Sequence, residues 1–280
     1  MQDTFSPSSL SCFGNCPKQY HFRYVEPLEV DQEGIEAFVG KRVHEVLERL
    51  YRFVAEGLVP SLPKVVWRYQ QNFEEQFDAS RVRIVREGTD IDFYRAAGVR
   101  GLENYYRRHY PFDADETLGL EKKIRFRLDA EGRYKVRGII DRLVRARDGA
   151  LEIHDFKTGR RIPSQDELDR DHQLGLYELG IRDQLDEAGE VRLVWHYVVP
   201  DQIRSSTRSP EQRDALRDQT ARKIDRIRAE TEWAPKKSGL CDWCEFRPYC
   251  PAFGGTRPAP AAAAPAPAEA KPDEDQLALL

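Results

Sequence analysis

The residues best placed to do chemistry fall in two short stretches, Val136-Arg137-Gly138-Ile139-Ile140-Asp141 and Ile153-His154-Asp155-Phe156-Lys157-Thr158-Gly159. Both have the β-branched and aromatic content and partial alternation of strands. On a strand, residues two apart share a face, so Asp155 and Lys157 project together. A hairpin around Asp148-Gly149 would bring Asp141, expected at the end of its strand, within reach of Asp155. Two carboxylates converging beside a lysine suit a hard divalent cation. The main-chain carbonyl of Phe156 would add an oxygen ligand, and Lys157 would place or polarise a water for attack. Glu121, on the strand before, supplies a third carboxylate as ligand or base. An isolated Asp-x-Lys is usually a solvated ion pair worth under about 1 kcal/mol. Here each acid follows an apolar run, Gly-Ile-Ile or Leu-x-Ile, so each strand leaves the core and presents its acid at the end.

A second constellation is sulfur-based. The five cysteines are Cys12, Cys16, Cys241, Cys244 and Cys250, with more than two hundred cysteine-free residues between the groups. In a reducing compartment such clusters are read as metal sites before disulfides. Cys241, Cys244 and Cys250 supply three thiolates and Cys16 a fourth; Cys12 is a spare small residue. Spacing alone favours structural Zn²⁺. Any metal held there would staple the two ends of the folded body, a loop closure worth on the order of several kcal/mol.

Around these residues the hydrophobic period changes along the chain. Helical spacing marks 34–57 (Ile35, Phe38, Val39, Val43, Val46, Leu47, Leu50, Val54), 63–78 and 92–110. Strand character marks 119–128, 133–145, 150–157 and 191–199, with helices over 164–185 and 210–232. Helices, a three-strand meander, helix, strand and helix predict an α/β fold: a mixed sheet core at about 116–232, behind a helical part at about 30–115. The cysteine segments, about 8–24 and 238–252, complete a unit over 1–255. Residues 256–280, Pro/Ala-rich and then acidic, read as a disordered tail.

Composition narrows the function classes. Lys plus Arg numbers 44 against 48 for Asp plus Glu, a net charge of −4, which excludes binding by bulk positive charge but not a local basic groove. No run of 18 apolar residues exists to span a membrane, and no secretory signal is visible at the start, so the cytoplasm is the expected compartment. No Walker sequence appears, so the chain carries no ATP motor of this type.

Taken together, GIIDRL followed by EIHDFKTG resembles the PD-(D/E)XK nuclease superfamily in its RecB-like branch. Gly40-Lys41-Arg42-Val43-His44 is similar to that branch's G-x-x-x-H helix, and Gln173-Leu174-Gly175-Leu176-Tyr177 to its Q-x-x-x-Y motif. Ser8-Ser9-Leu10 through Cys16-Pro17-Lys18, with the C-terminal cysteines, resembles the iron–sulfur version of AddB-type and CRISPR-associated nucleases. The resemblance runs from about Phe5 to Pro251. It implies a restriction-endonuclease-like fold, with Mg²⁺ or Mn²⁺ held by His44, Asp141, Asp155 and the Phe156 carbonyl. Gln173 and Tyr177 would border the site, and a [4Fe–4S] cluster would sit on Cys16, Cys241, Cys244 and Cys250. A histidine ligand among carboxylates tilts the choice toward Mn²⁺.

The implied activity is metal-dependent hydrolysis of DNA, single-stranded or with free ends, in repair or CRISPR adaptation, with any helicase or CRISPR integrase a separate protein. The alternative is a non-catalytic nucleic-acid-binding module that kept the fold. DNA contacts are expected from Arg160 and Arg161 after the lysine strand, and from Arg137, Arg142 and Arg145 beside it. Tyr20, Phe22 and Tyr24 could stack on bases, though packing is the plainer role. Finally, Gln276-Leu277-Ala278-Leu279-Leu280 resembles the peptide that docks on the bacterial sliding clamp.

Overall fold

Start signals in the sequence explain where most helices begin. In the computed structural model, which describes residues 2–185 and 189–256, strand β1 (Thr4–Phe5) leads into helix α1 (Pro7–Asn15). Ser6 caps α1: its hydroxyl accepts from the Ser9 N–H at 3.1 Å, and Ser9 Oγ accepts from the Ser6 N–H at 2.9 Å. Helix α2 (Pro17–Tyr20) continues into a π-helical turn, His21–Val25. Strand β2 (Glu33–Gly34) precedes α3 (Ile35–Ala55) and α4 (Leu62–Gln76); β3 (Val82–Arg83) precedes α5 (Ile91–His109). Then come β4 (Asp115–Arg127), β5 (Lys135–Ala146), β6 (Leu151–Lys157), α6 (Gln165–Leu168), α7 (His172–Gln184), β7 (Val191–Tyr197), β8 (Gln202–Ser206) and α8 (Pro210–Ala229).

The sheet is mixed. β4, β5 and β6 form the expected antiparallel meander, β7 runs parallel to β6, and β8 closes antiparallel to β7. The edge of β5 away from β4 is shared. β1 pairs in parallel with Lys135 and Val136, and β6 pairs with Arg142 through Arg145. Between those two partners, no strand among the described residues covers that edge at 137–141.

Two cores flank the sheet. Ile124, Phe126, Ile140, Ile153, Leu193 and Trp195 pack against Leu10 and Phe13 of α1, Leu174 and Leu179 of α7, and Leu216 and Ile224 of α8. On the other side Phe156, Val198 and Val199 join Ile35, Val43 and Leu47 of α3, Tyr69 and Phe73 of α4, and Leu102 and Tyr105 of α5.

Several expectations change. Asp141 lies inside β5 rather than at its end, because β5 runs on to Ala146 alongside β4. The helix expected over 164–185 breaks after Leu168. Asp171 accepts from the Leu174 N–H at 2.8 Å and starts α7 afresh. Arg142 is not a DNA contact: it is 1% exposed, bonded to Thr117 Oγ1 at 2.9 Å, ion-paired with Asp115 and stacked 3.7 Å from the Tyr51 ring centroid. Tyr20 and Phe22 are packing residues, against Trp233 and Phe246 respectively. The tail beyond Thr256, with Gln276–Leu280, lies outside the described residues. No helix among the described residues is long and apolar enough to cross a membrane.

Candidate active site

The site forms where β5 and β6 part. Their register ends at Arg142↔His154, one rung short of the position where Asp141 would face Asp155. The Phe156 N–H, which has no β5 partner, donates instead to Asp141 Oδ2 at 2.8 Å. Helix α3 brings His44 over the fork, with Nε2 2.8 Å from the Phe156 carbonyl oxygen and Nδ1 3.5 Å from Asp141 Oδ2. From β4, Glu121 enters with a left-handed backbone, φ +45°. Its neighbours Leu120 and Lys122 pair with Arg142 and Ile140, so Glu121 lies level with Asp141. A non-glycine residue held there costs about 1–3 kcal/mol and points to a functional constraint. One ligand atom each from His44, Glu121 and Asp141 lies within 4.8 Å of the other two.

Asp155 is 2% exposed and works in a second group. Its Oδ1 accepts from Gln173 Nε2 at 2.8 Å, and Lys157 Nζ sits 2.6 Å from Oδ2. Lys157 Nζ also donates to Gln173 Oε1 at 3.3 Å, and Gln173 Nε2 reaches the Tyr177 hydroxyl at 3.4 Å. Gln173 thereby ties helix α7 to both chemical groups of β6.

Electrostatics follow from burial and crowding. Burial, with Asp155 and Glu121 adding their charge, pushes the Asp141 carboxyl up to about 7 against the pull of His44 and the Phe156 N–H. Burial also raises Glu121, with Glu48 adding and His44 opposing. For Lys157 burial opposes the charged form, yet Asp155 and Asp141 outweigh it and hold the pKa above the usual value. Lys157 is therefore an ammonium at neutral pH. Burial lifts Tyr177 to about 12, so it is a neutral phenol.

This donor set fits a divalent cation. Both His44 ring nitrogens face oxygens, Nε2 the Phe156 carbonyl and Nδ1 the Asp141 carboxylate. A divalent cation would sit between the imidazole nitrogen and the carboxylates of Asp141 and Glu121. It would also relieve the crowding of carboxylates that raises Asp141. Mixed imidazole and carboxylate ligation suits Mn²⁺ and admits Mg²⁺.

Of the residues singled out in the sequence, the structure brings together His44, Glu121, Asp141, Asp155, Phe156, Lys157, Gln173 and Tyr177. Arg160 and Arg161 are exposed after β6, the first 4.6 Å over the Phe93 ring, the second paired with Glu167. Cys16, Cys241, Cys244 and Cys250 line a different cavity, and Cys12 is buried in the core. Two positioning residues escaped the sequence reading. Asp171 sets the start of α7, and thus Gln173; its position one residue before a helix was the available signal. Gly138 leaves room for Tyr177, whose ring carbon Cε1 would lie 2.4 Å from a Cβ at that position; nothing in the local sequence reveals this.

No curated protein matches the chain. Among solved structures, one described as a putative exonuclease from Eubacterium rectale superposes at TM-score 0.51 with 15% identity, covering 86% of this chain and 87% of that one. Another, SSO0001, gives TM-score 0.37 and 16% identity over 88% of this chain and 95% of its own. The first likeness supports the fold. The family model of the PD-(D/E)XK nuclease superfamily matches residues 4–251, a span that takes in every residue of the fork. The chain belongs to the PD-(D/E)XK nuclease superfamily.

Proposed function

We propose that the protein is a metal-dependent deoxyribonuclease of the RecB-like type, acting as an exonuclease on single-stranded DNA ends. The observation that carries this reading is the convergence of His44, Glu121 and Asp141 within 4.8 Å beside the Asp155–Lys157–Gln173 group. His44, Asp141, Asp155 and the Phe156 carbonyl would hold the ion, with Glu121 as a further ligand or base. Mg²⁺ or Mn²⁺ there would offset phosphate charge, acidify a water and stabilise the departing oxygen. Lys157, kept charged by Asp155 and Asp141, orients the attacking water and does not act as a base. Gln173 fixes both partners of that ion pair, and Tyr177 steadies Gln173 from the next turn. The name of the Eubacterium rectale neighbour is in keeping with exonuclease action.

The cavity lined by Cys16, Cys241, Cys244 and Cys250 would hold a [4Fe–4S] cluster, with structural Zn²⁺ the alternative. Backbone donors already face two of the sulfurs, Lys236 N–H to Cys16 at 3.4 Å and Ser238 N–H to Cys241 at 3.3 Å, as suits a cluster tuned by hydrogen bonds. In this reading 1–255 is one nuclease unit closed by the cluster. Gln276–Leu280 docks a sliding clamp, truncation after Asp275 abolishing co-migration, and a helicase or CRISPR integrase is supplied separately.

End-labelled single- and double-stranded DNA with Mn²⁺ tests the activity. Short products from single-strand ends, absent in EDTA, are expected; no hydrolysis by purified protein with bound metal would refute it.

A further inference from the structure

His44, Glu121, Phe156 and Lys157 line a cavity of about 560 Å³, and beyond Gln173 and Tyr177 lies a second cavity of about 960 Å³. Its walls are the unpaired edge of β5 at Gly138 and Ile139, the first turns of α1, the start of α7 and one side of α8. Five cations line it, Lys123, Arg125, Arg137, Arg170 and Lys223, against two carboxylates, Glu167 and Asp171. Both carboxylates are engaged, Glu167 with Arg161 and Asp171 with the Leu174 N–H. None of the five cations has an ion-pair or hydrogen-bond partner among the described residues, whereas Arg133, Arg142, Arg192 and Arg213 are all paired.

Their arrangement is costly without a ligand. Arg125 stands directly opposite Arg137 in the β4–β5 register, and Lys123 opposite Ile139. Like charges facing each other across a ladder destabilise it. Lys223 is half-buried, and burial together with Arg226 draws its pKa down. Arg137, Ile139 and Asp141 fall at alternate positions of β5, so the row runs along one strand face to the candidate metal site. Ile139 is 44% exposed, an apolar surface set among the cations. Helix α1 adds the positive end of its dipole through Ser6 and Pro7, with no acid in its first turn.

We infer that this cavity is the track of a single DNA strand, whose phosphates sit on Lys123, Arg125, Arg137, Arg170 and Lys223 and whose bases lie against Ile139. The restriction to one strand follows from the proposed action on single-stranded ends. Cationic grooves with apolar contacts for bases are how single strands are held without sequence preference. This inference rests on the nuclease reading for its ligand, and its test does not use cleavage.

The experiment is fluorescence anisotropy with a labelled 30-nucleotide oligo-dT and a blunt hairpin duplex, in Ca²⁺ at several salt concentrations. The proteins are the full chain, Arg125→Glu/Arg137→Glu, and Lys64→Glu on α4 as a control for charge. The double variant should bind the strand at least tenfold more weakly and lose about 0.7 of salt slope per contact removed. Lys64→Glu should bind as the wild type does, and the hairpin should bind at least tenfold more weakly than the strand. Should charge reversal disturb the melting curve, Arg125→Gln/Arg170→Gln makes the same comparison with a smaller perturbation. Strand binding within twofold of wild type in a folded variant would overturn the track. Equal affinity for strand and hairpin would overturn its restriction to one strand. A protein that binds as described but never cleaves would overturn the nuclease reading alone.

Discussion

At the scale of single residues the site is two linked groups: a nitrogen–carboxylate cluster of His44, Glu121 and Asp141, and an ion pair of Asp155 and Lys157 clamped by Gln173. Asp155→Asn keeps the volume and the acceptor for Gln173 but removes the charge, and Lys157→Ala removes the ammonium. Each should cut Mn²⁺-dependent cleavage by at least about 100-fold, the scale of losing a preorganised electrostatic group, with melting curves still cooperative. Near-normal cleavage in either folded variant would dismiss the assignment. Glu121 separates stability from function in the opposite sense. Its φ of +45° suits glycine, so Glu121→Gly should stabilise the fold by about 1 kcal/mol while cleavage falls. A lower melting temperature would show that the carboxylate, not the backbone, governs stability there.

At the scale of elements, the site depends on how α7 meets the open edge of β5. A methyl at position 138 would strike the Tyr177 ring at 2.4 Å. Gly138→Ala should cost about 1–3 kcal/mol, as overpacking does, and slow cleavage by shifting Tyr177 and hence Gln173. Pairing it with Tyr177→Leu should restore the melting temperature but not the rate; thermal scans and turnover together decide this. The elements themselves were largely legible, because period 2 in 133–157 and period 3.6 in 34–57 are local signals. Asp155 and Lys157 share a face by alternation alone, so their pairing followed from the sequence. His44 did not: no spacing links α3 to β6, and only the family pattern joined them. Arg142 was misjudged because charges were counted without faces. It lies five residues from Arg137, on the opposite parity of β5, where Asp115 and Tyr51 bury it. The break before α7 was missed because apolar periodicity carries through 168–174, while Asp171, a better cap than helix interior, ends it.

At the scale of the whole molecule, the two ends of the folded body meet at the cysteines, where Cys16 shares a cavity with Cys241, Cys244 and Cys250. Cys16→Ala or Cys241→Ala should lower the melting temperature and deplete bound iron more than it alters cleavage per folded molecule. Folded variants of undiminished stability would remove the staple. Acid should weaken the fold from another place. Burial, with His154 and Arg142 adding, draws His109 down to about 4. Its contribution is intact above the unfolded value near 6.5 and is lost as pH falls from there toward 4, where the unfolded chain takes up a proton that the folded chain refuses. The loss reaches about 3 kcal/mol. His109→Phe, which retains a ring against Tyr105, should flatten this limb in melting temperature against pH.

The missing rungs along β5 have one more effect. Between β1 and β6, the amides of 137–141 on that edge lack the ladder that shields the rest of the sheet, and the Tyr177 hydroxyl sits against the backbone of Ile139 in place of a neighbouring strand. In deuterated water this short stretch should exchange well ahead of β6 and β7, and Tyr177→Phe should quicken Ile139 further. The most permeable seam in an otherwise slow sheet would then run along the strand that carries Asp141.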